Sequence, residues 1–211
     1  MPNREHWEAV YETKAPDAVS WYQPSAIMSL ALIQSFAPGH DTRIIDVGGG
    51  ASVLVDELLA AGYREIAVLD IAQTALDGAS MRLGAAGRAV TWIAGDVCEA
   101  RLDTSAYDVW HDRAVFHFLT EADDRAAYMR QLRRALKPAG HVIIAAFAED
   151  GPERCSGLPV VRYSCDAIHR ELGDDFGMVA TDRELHRTPG GSDQSFVYCV
   201  FRRLPASVNA D

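Results

Sequence analysis

Long hydrophobic runs and closely spaced cysteines are missing from this sequence of 211 residues. The longest apolar run, 142–148, is far shorter than the roughly 20 residues of a membrane-spanning helix. The first ten residues carry charged side chains and no apolar segment, so we expect no secretory signal. The cysteines form no C-x-x-C pair, which is typical of reduced thiols in a cytoplasm and predicts neither a disulfide framework nor a metal site. They are Cys98, Cys155, Cys165 and Cys199.

Basic residues are also in the minority. The chain has 20 lysines and arginines against 30 acidic residues, a net charge of −10, which disfavours binding to nucleic-acid phosphates. An apolar fraction of 48% over this length is enough for a folded core without a stabilising metal. We expect one domain over 1–204 and a disordered tail over 205–211. The sequence does not determine the oligomeric state.

What is present is an alternation of short β-branched runs with longer segments of helical period. This pattern predicts an α/β fold with a doubly wound, mostly parallel sheet of seven strands, whose last strand is antiparallel. The predicted strands are 43–47, 66–70, 89–94, 107–111, 141–147, 178–182 and 195–203. The predicted helices are 24–36, 52–61, 73–86, 122–136 and 164–172. In such sheets ligands bind beyond the carboxyl ends of the strands.

Three acids and a glycine loop follow the first three strands. The loop 48–50 comes directly after Asp46 and Val47, and glycines there let the chain turn tightly and let a ligand approach. Asp70 lies about 20 residues further on, where a carboxylate accepts the hydroxyls of a ribose. Asp96 follows the third strand. Each acid has a simpler explanation as a helix cap or turn former, but their joint placement predicts a nucleoside site.

The type of nucleoside ligand depends on two side chains. The dinucleotide pattern G-x-G-x-x-G, begun at Gly48, requires its third glycine where this chain has Val53. A β-branched residue there opposes the close helix–strand packing that the glycine serves. The carboxylate of Asp46 also suits an ammonium and a sulfonium better than a pyrophosphate. These residues favour the cationic methyl donor S-adenosylmethionine over NAD as the cofactor.

Four ordered segments carry a family resemblance. Segments 45–50, 69–71, 94–97 and 136–140 read I-D-V-G-G-G, L-D-I, A-G-D-V and L-K-P-A-G. They resemble the motifs of the class I S-adenosylmethionine-dependent methyltransferases, over residues 43–147. The resemblance implies a Rossmann-like methyltransferase fold in a small, single-domain bacterial group. Ser52 stands where the family has its last glycine, which makes the turn less permissive.

The same resemblance assigns cofactor contacts. It implies that the loop with Gly48 and Gly50 packs against the methionine part of the cofactor and that Asp70 holds the ribose. It further implies contacts to the adenine from Ile71, Asp96 and Val97.

Segments near the chain start and after the fourth strand resemble those of one subgroup of the family. Segment 6–11, H-W-E-A-V-Y, resembles the Y-W-x-x-x-Y entry of small methyltransferases that include protein lysine methyltransferases. Segment 111–114, H-D-R-A, resembles their D-K-G segment, with Arg and Ala in place of Lys and Gly. The aromatic residues near the start either close over the cofactor as a lid or belong to an ordinary amphipathic helix. The additional expected cofactor contacts are Trp7, Tyr11, Trp21 and His111.

Two candidate catalytic residues follow the fourth strand. Methyl transfer is an in-line displacement, so the enzyme mainly aligns the reactants and excludes water. His117 is the predicted general base, with packing between neighbouring phenylalanines as the alternative. Arg113 is predicted to orient the substrate, or to pair locally with Asp112. The long segment 148–164, which contains Cys155, is expected to form a substrate loop.

These observations predict a cytoplasmic S-adenosylmethionine-dependent methyltransferase of a small molecule with a sulfur, oxygen or nitrogen nucleophile. A protein lysine N-methyltransferase is the first alternative, and a non-catalytic nucleoside-binding regulator is the second. We expect no metal, no nucleic acid and no membrane as partners.

Overall fold

A seven-stranded sheet flanked by helices forms the centre of the computed structural model, which describes residues 4–205. The strands are β1 (Arg43–Val47), β2 (Glu65–Asp70), β3 (Val90–Ala94), β4 (Tyr107–Arg113), β5 (Leu136–Phe147), β6 (Arg154–Cys155), β7 (Leu158–Pro159), β8 (Phe176–Arg187) and β9 (Asp193–Arg203). The helices are α1 (Arg4–Thr13), α2 (Ile27–Phe36), α3 (Leu54–Ala60), α4 (Gln73–Leu83), α5 (Ala122–Ala135) and α6 (Cys165–Leu172). Within residues 4–205, no helix combines the length and apolarity needed to span a membrane. The tail predicted over 205–211 lies, beyond its first residue, outside the described residues.

The strand order is β3-β2-β1-β4-β5-β9-β8. Strands β1 to β5 run parallel, and β9 runs antiparallel to both β5 and β8. The doubly wound sheet with an antiparallel last strand is therefore confirmed. The order reverses between β1 and β4, so the loops after these two strands border a crevice at the carboxyl edge of the sheet.

Both faces of the central strands are covered by helices. Ile45 and Ile144 belong to the core cluster on one face, whereas Ile44 and Ile143 belong to the cluster on the other face. All four side chains are fully buried. This burial explains the near-continuous apolar character of β1 and β5, and it fixes the position of the loops that follow them.

Several elements differ from the sequence-based expectation. Strand β5 begins at Leu136, and the segment 148–164 contains β6 and β7, which pair with each other in a separate two-stranded sheet. The amphipathic helix given as an alternative for the aromatic residues near the chain start is present as α1, with Val10 buried. Strand β8 continues to Arg187, because His186 and Arg187 pair with Gln194 and Asp193 of β9. The loop before the last strand is consequently short.

The cysteine expectation is wrong for one pair. Cys165 and Cys199 form a disulfide that joins the start of α6 to β9. The two residues are 34 positions apart in the chain, and their Cα atoms lie 5.6 Å apart because α6 packs on the sheet beside β9. Such a tertiary contact leaves no trace in the spacing of the cysteines.

Candidate active site

The glycine loop after β1 is shaped around two buried carboxylates. A Cβ atom at Gly49 would lie 2.5 Å from Oδ2 of Asp46, and one at Gly50 would lie 2.6 Å from Oδ2 of Asp70. Gly48 has a φ of +68°, and a Cβ atom there would lie 1.9 Å from Cγ2 of Val115. Side chains at these three positions are therefore excluded, and the loop backbone lies directly against both acids.

A first cavity of about 650 Å³ of empty space, part of it open to solvent, lies on one side of this loop. One end is formed by Leu69, Asp70 and Ile71 after β2, together with Gly95 and Val97 after β3. The remaining wall is apolar and aromatic. It consists of Trp7, Tyr11, Trp21, Val47, Gly48, Arg113, Ala114, Val115, Phe118 and Cys155.

A second cavity of about 560 Å³ adjoins the first and shares Tyr11, Trp21, Gly48 and Arg113 with it. It is lined by polar groups from beneath the glycine loop, among them Ser29, Asp46 and His111. The shared walls make the two cavities neighbouring parts of one cleft. Among residues 4–205, no group of three or more potential metal ligands is present.

Residues 4–23 cover this cleft and are called the lid below. The ring of Trp7 packs edge-on against Trp21 at 5.6 Å and against Phe118 at 5.1 Å between centroids. The ring of Tyr11 lies 6.3 Å from that of Trp21. The alternative of a helix holds for α1, and its aromatic side chains Trp7 and Tyr11 also line the first cavity.

Hydrogen bonds tie the lid to the body at both of its ends. The carboxylate of Glu8 accepts from the backbone N–H groups of Gln73 (2.8 Å) and Thr74 (3.1 Å), the first residues of α4. At the other end, the side chain of Gln23 donates to Glu184 at 2.6 Å. Closure over the cleft is therefore held by specific contacts as well as by aromatic packing.

Arg113 uses its donors within the protein. It donates to the Tyr198 hydroxyl (2.9 Å), to the Trp21 carbonyl (3.1 Å) and to Glu184 (3.3 Å). Its guanidinium also lies 4.4 Å above the ring centroid of Phe196. The predicted local pair with Asp112 is not formed, because Asp112 accepts from Tyr128 and from the backbone of Val115 instead. Arg113 lines both cavities, but its charge is balanced by Glu184.

The structure places His117 in the core. Its side chain is 0% exposed, lies against Phe118 and Phe147, and is not among the residues that line either cavity. Its Nδ1 accepts from the backbone N–H of Phe147 at 3.3 Å. Burial, assisted by the charge of Arg113, lowers the pKa of His117 to about 3, which makes it a poor proton acceptor. This placement corrects the expected position beside the transferred methyl group.

The acid after β3 is also turned away from the cleft. Oδ1 of Asp96 accepts from the backbone N–H of Cys98 at 2.8 Å, and Asp96 is not among the residues lining either cavity. This is the turn-forming alternative given above. Ile71 and Val97, by contrast, line the first cavity as the resemblance implies.

Asp70 is the acid best placed in the first cavity. It is 6% exposed, and one carboxylate oxygen accepts from the backbone N–H of Ala72 at 2.8 Å. Burial raises the pKa of Asp70 to about 7, with a further increase from the charge of Asp46, although the Ala72 hydrogen bond opposes both. A ligand that donates hydroxyl protons to this carboxylate favours its ionised form.

Sequence reasoning missed Ser29. It is a buried polar residue on α2, and its Oγ lies 2.9 Å from Nε2 of His111. The other nitrogen of His111, Nδ1, lies 2.7 Å from Oδ1 of Asp46. The available signal was a serine at a buried position of the otherwise apolar segment I-M-S-L-A-L-I.

Comparisons with known proteins fit this geometry. The family model described as "Methyltransferase domain" matches residues 44–140. The ubiquinone biosynthesis O-methyltransferase of Ralstonia nicotianae is 31% identical over 149 residues, which is 70% of this chain and 60% of that protein. The eEF1A lysine and N-terminal methyltransferase of Mus musculus is 21% identical over 139 residues, 66% of this chain and 20% of that protein. The chain thus spans three fifths or less of the length of these curated relatives.

Solved structures share the fold along nearly the whole chain. A structure from work on the conversion of a disulfide bond into a thioacetal group during echinomycin biosynthesis has a TM-score of 0.76 and 20% identity. The match covers 95% of this chain and 93% of the chain in that structure. The 1,6-didemethyltoxoflavin-N1-methyltransferase of Burkholderia thailandensis, with bound 1,6-didemethyltoxoflavin and S-adenosylhomocysteine, has a TM-score of 0.74 and 17% identity. That match covers 96% of this chain and 87% of the other.

Proposed function

Because this chain belongs to the class I S-adenosylmethionine-dependent methyltransferases, we propose that it methylates a small molecule through a sulfur, oxygen or nitrogen nucleophile. The observation that carries this proposal is the apolar and aromatic wall of the first cavity, beyond the residues that suit a nucleoside. The proposal concerns the acceptor, because the cofactor of the family is S-adenosylmethionine.

The residues present fit this cofactor. The glycine loop packs directly against the two buried carboxylates of Asp46 and Asp70, and Gly48 lines both cavities. Asp70 would accept from the ribose hydroxyls, Ile71 and Val97 would pack against the adenine, and Asp46 would lie near the methionine part. When bound, S-adenosylmethionine supplies an electrophilic methyl group on a sulfonium.

The protein's own contribution is alignment and exclusion of water. The lid rings of Trp7 and Trp21, with Phe118 beneath them, cover part of the first cavity. A covered cavity helps to hold the nucleophile in line with the methyl group and limits the access of competing water. No proton acceptor is required from His117 if the nucleophile reacts in its ionised or neutral basic form.

The lining of the first cavity supports a small, uncharged acceptor. Among the described residues that line it, the charged ones are Asp70 and Arg113. Asp70 is assigned to the ribose, and Arg113 is neutralised by Glu184 at 3.3 Å. The remaining wall therefore offers aromatic faces and apolar contacts, which suit a flat or apolar acceptor better than a lysine ammonium.

A protein lysine acceptor is the second candidate. The similarity to the eEF1A lysine and N-terminal methyltransferase of Mus musculus favours it. A lysine must be held as a neutral amine at the moment of transfer, and an apolar cavity favours that form as well. The identity of the labelled product separates the two acceptors.

The test is transfer of a labelled methyl group from S-adenosylmethionine in a cell extract that is then separated into metabolite and protein fractions. We expect the label in the metabolite fraction, and we expect an Asp70→Ala variant to transfer less of it at a limiting concentration of S-adenosylmethionine. Label confined to protein would establish the lysine candidate. Binding of S-adenosylhomocysteine without labelling of either fraction would instead identify a non-catalytic nucleoside-binding regulator.

A further inference from the structure

A chain of three buried polar side chains runs beneath the glycine loop, from Ser29 through His111 to Asp46. Their exposed fractions are 1%, 2% and 3%, and all three line the second cavity. They come from α2, β4 and β1, and Asp46 and His111 are paired in register across the two adjacent strands. Buried polar groups are retained where their hydrogen bonds are satisfied, so this chain is a built feature of the cleft.

The direction of the hydrogen bonds follows from chemistry. Asp46 accepts at Oδ1, so Nδ1 of His111 carries the proton and donates over 2.7 Å. Nε2 then accepts from the Ser29 hydroxyl over 2.9 Å when the ring is neutral. Asp46 thereby fixes the tautomer of His111, Ser29 holds its ring plane, and His111 holds the carboxylate plane of Asp46.

The second carboxylate oxygen of Asp46 lies against the glycine loop, and Asp46 lines the second cavity. Oδ2 lies so close to Gly49 that a Cβ atom there would come within 2.5 Å of it. With Oδ1 held by His111, the carboxylate cannot rotate without breaking a buried hydrogen bond. Oδ2 is thus held in a single orientation toward the glycine loop and the second cavity.

We propose that Ser29 and His111 are positioning residues that orient Asp46 toward the cationic amino-acid part of the cofactor. The proposal rests on the proposed function and reassigns His111, which acts through Asp46. A buried carboxylate held in one orientation gives a stronger charge-assisted contact to an ammonium than a mobile one does. The adenosine part of the cofactor would bind at Asp70 in the other cavity. Its binding would not depend on the three hydrogen-bonded side chains of Ser29, His111 and Asp46.

Calorimetric titration with two ligands separates the two parts. S-adenosylhomocysteine carries the amino-acid part, whereas 5′-methylthioadenosine has the same adenosine and thioether without it. In a His111→Leu variant we expect affinity for S-adenosylhomocysteine to fall about tenfold or more, because a charge-assisted contact is weakened. Affinity for 5′-methylthioadenosine should stay within about twofold of wild type. A His111→Asn variant, which keeps a donor toward Asp46, should recover most of the loss.

Ser29→Ala provides a milder test if His111→Leu fails to fold. We expect a selective loss of about threefold for S-adenosylhomocysteine, since one buried hydrogen bond is removed. Ser35→Ala is the matched control, because Ser35 lies on the same helix, is exposed and bonds only its own helix backbone at Ala31. It should change neither affinity.

Two outcomes overturn the proposal. One is an equal loss for both ligands in folded variants, which would indicate a general structural role. The other is unchanged affinity for S-adenosylhomocysteine in folded His111→Leu. A wild-type protein that binds neither ligand would fail the proposed function itself, which is a different result from either of these.

Discussion

The buried carboxylate of Asp70 ties ligand affinity to pH. Its pKa is raised to about 7, mainly by burial, so a large part of the protein carries a neutral Asp70 in mildly acidic solution. Ribose hydroxyls donate to the ionised form, and the proton must therefore leave before or during binding. We expect affinity for S-adenosylhomocysteine to rise with pH up to about 7 and to fall about tenfold per unit below it. Calorimetry between pH 5 and 8 measures this dependence.

Asp70→Ala is the corresponding variant, and it should bind S-adenosylhomocysteine about 10- to 100-fold more weakly because charge-assisted hydrogen bonds are lost. Its affinity should also become flat between pH 5 and 7. A folded variant that keeps wild-type affinity would place the ribose elsewhere, and a variant that keeps the pH dependence would assign the titration to another group.

His117 is expected to contribute to packing. A His117→Gln variant keeps an acceptor for the Phe147 N–H and should turn over within about tenfold of wild type, whereas loss of a general base costs roughly 10²–10⁴-fold. A loss of that size in a folded His117→Gln protein would restore the general-base prediction. Steady-state rates with the identified acceptor provide the measurement.

The same variant has a pH signature in stability. The pKa of His117 is lowered from 6.5 to about 3 in the folded state by burial, so the unfolded chain binds the extra proton first on acidification. Wild type therefore loses stability from this group as pH falls below 6.5, and the loss is complete near pH 3. The free energy of unfolding of wild type, relative to His117→Gln, should decrease between pH 7 and 5 in denaturant titrations. A constant difference would contradict burial of the neutral ring.

At the scale of elements, α1 is held in place by capping another helix. Glu8 accepts from the first two backbone N–H groups of α4, which stabilises that helix end and fixes the lid at once. Burial opposes ionisation of Glu8, but its hydrogen bonds with Thr74 and Gln73 and the charge of Arg4 lower its pKa overall. At neutral pH the ionised carboxylate of Glu8 therefore keeps its hydrogen bonds to α4 and holds the lid over the cleft.

A Glu8→Ala variant should lose the two hydrogen bonds that join the lid to α4. We expect a loss of about 1 kcal/mol in the free energy of unfolding and faster dissociation of S-adenosylhomocysteine, because the lid opens more often. Glu12→Ala on the same helix is the matched control, since Glu12 is exposed and the capping contact is made by Glu8. Stopped-flow dissociation rates distinguish the two variants. Equal rates for both would show that ligand release does not involve the Glu8 contact.

Secondary-structure elements could be predicted from the sequence where burial on both faces requires an uninterrupted apolar run. The buried parts of the parallel strands β1 and β5 are almost continuously apolar because helices cover both faces. The sequence therefore placed β1 correctly, but β5 without its first five residues. The glycine loop was equally clear, since its turn depends on local chemistry. Helix α1 was given only as an alternative, because its position depends on capping and aromatic contacts to distant segments.

At the scale of the whole molecule, what could not be predicted are contacts between distant segments. The strand order brings Asp46 beside His111, and α2 adds Ser29, although these residues lie far apart in the chain. The disulfide between Cys165 and Cys199 depends in the same way on the packing of α6. Their residue types are visible in the sequence, but the partners are chosen by the tertiary fold.

The preference of the cleft for one ligand over another can be measured as the rise in Tm that each ligand causes. A ligand that binds only the folded state stabilises it by about 2.7 kcal/mol at a concentration 100 times its Kd, which for a domain of this size raises Tm by about 5–10 °C. We expect this shift with S-adenosylhomocysteine and none with NAD. The pyrophosphate of NAD would approach the carboxylate of Asp46 and meet Val53 where dinucleotide-binding loops have a glycine. The Asp70→Ala variant should lose most of the shift at the same ligand concentration, since its affinity is lower. A larger shift in Tm with NAD than with S-adenosylhomocysteine would contradict the cofactor assignment, because the polar residues beside the glycine loop would then bind a pyrophosphate.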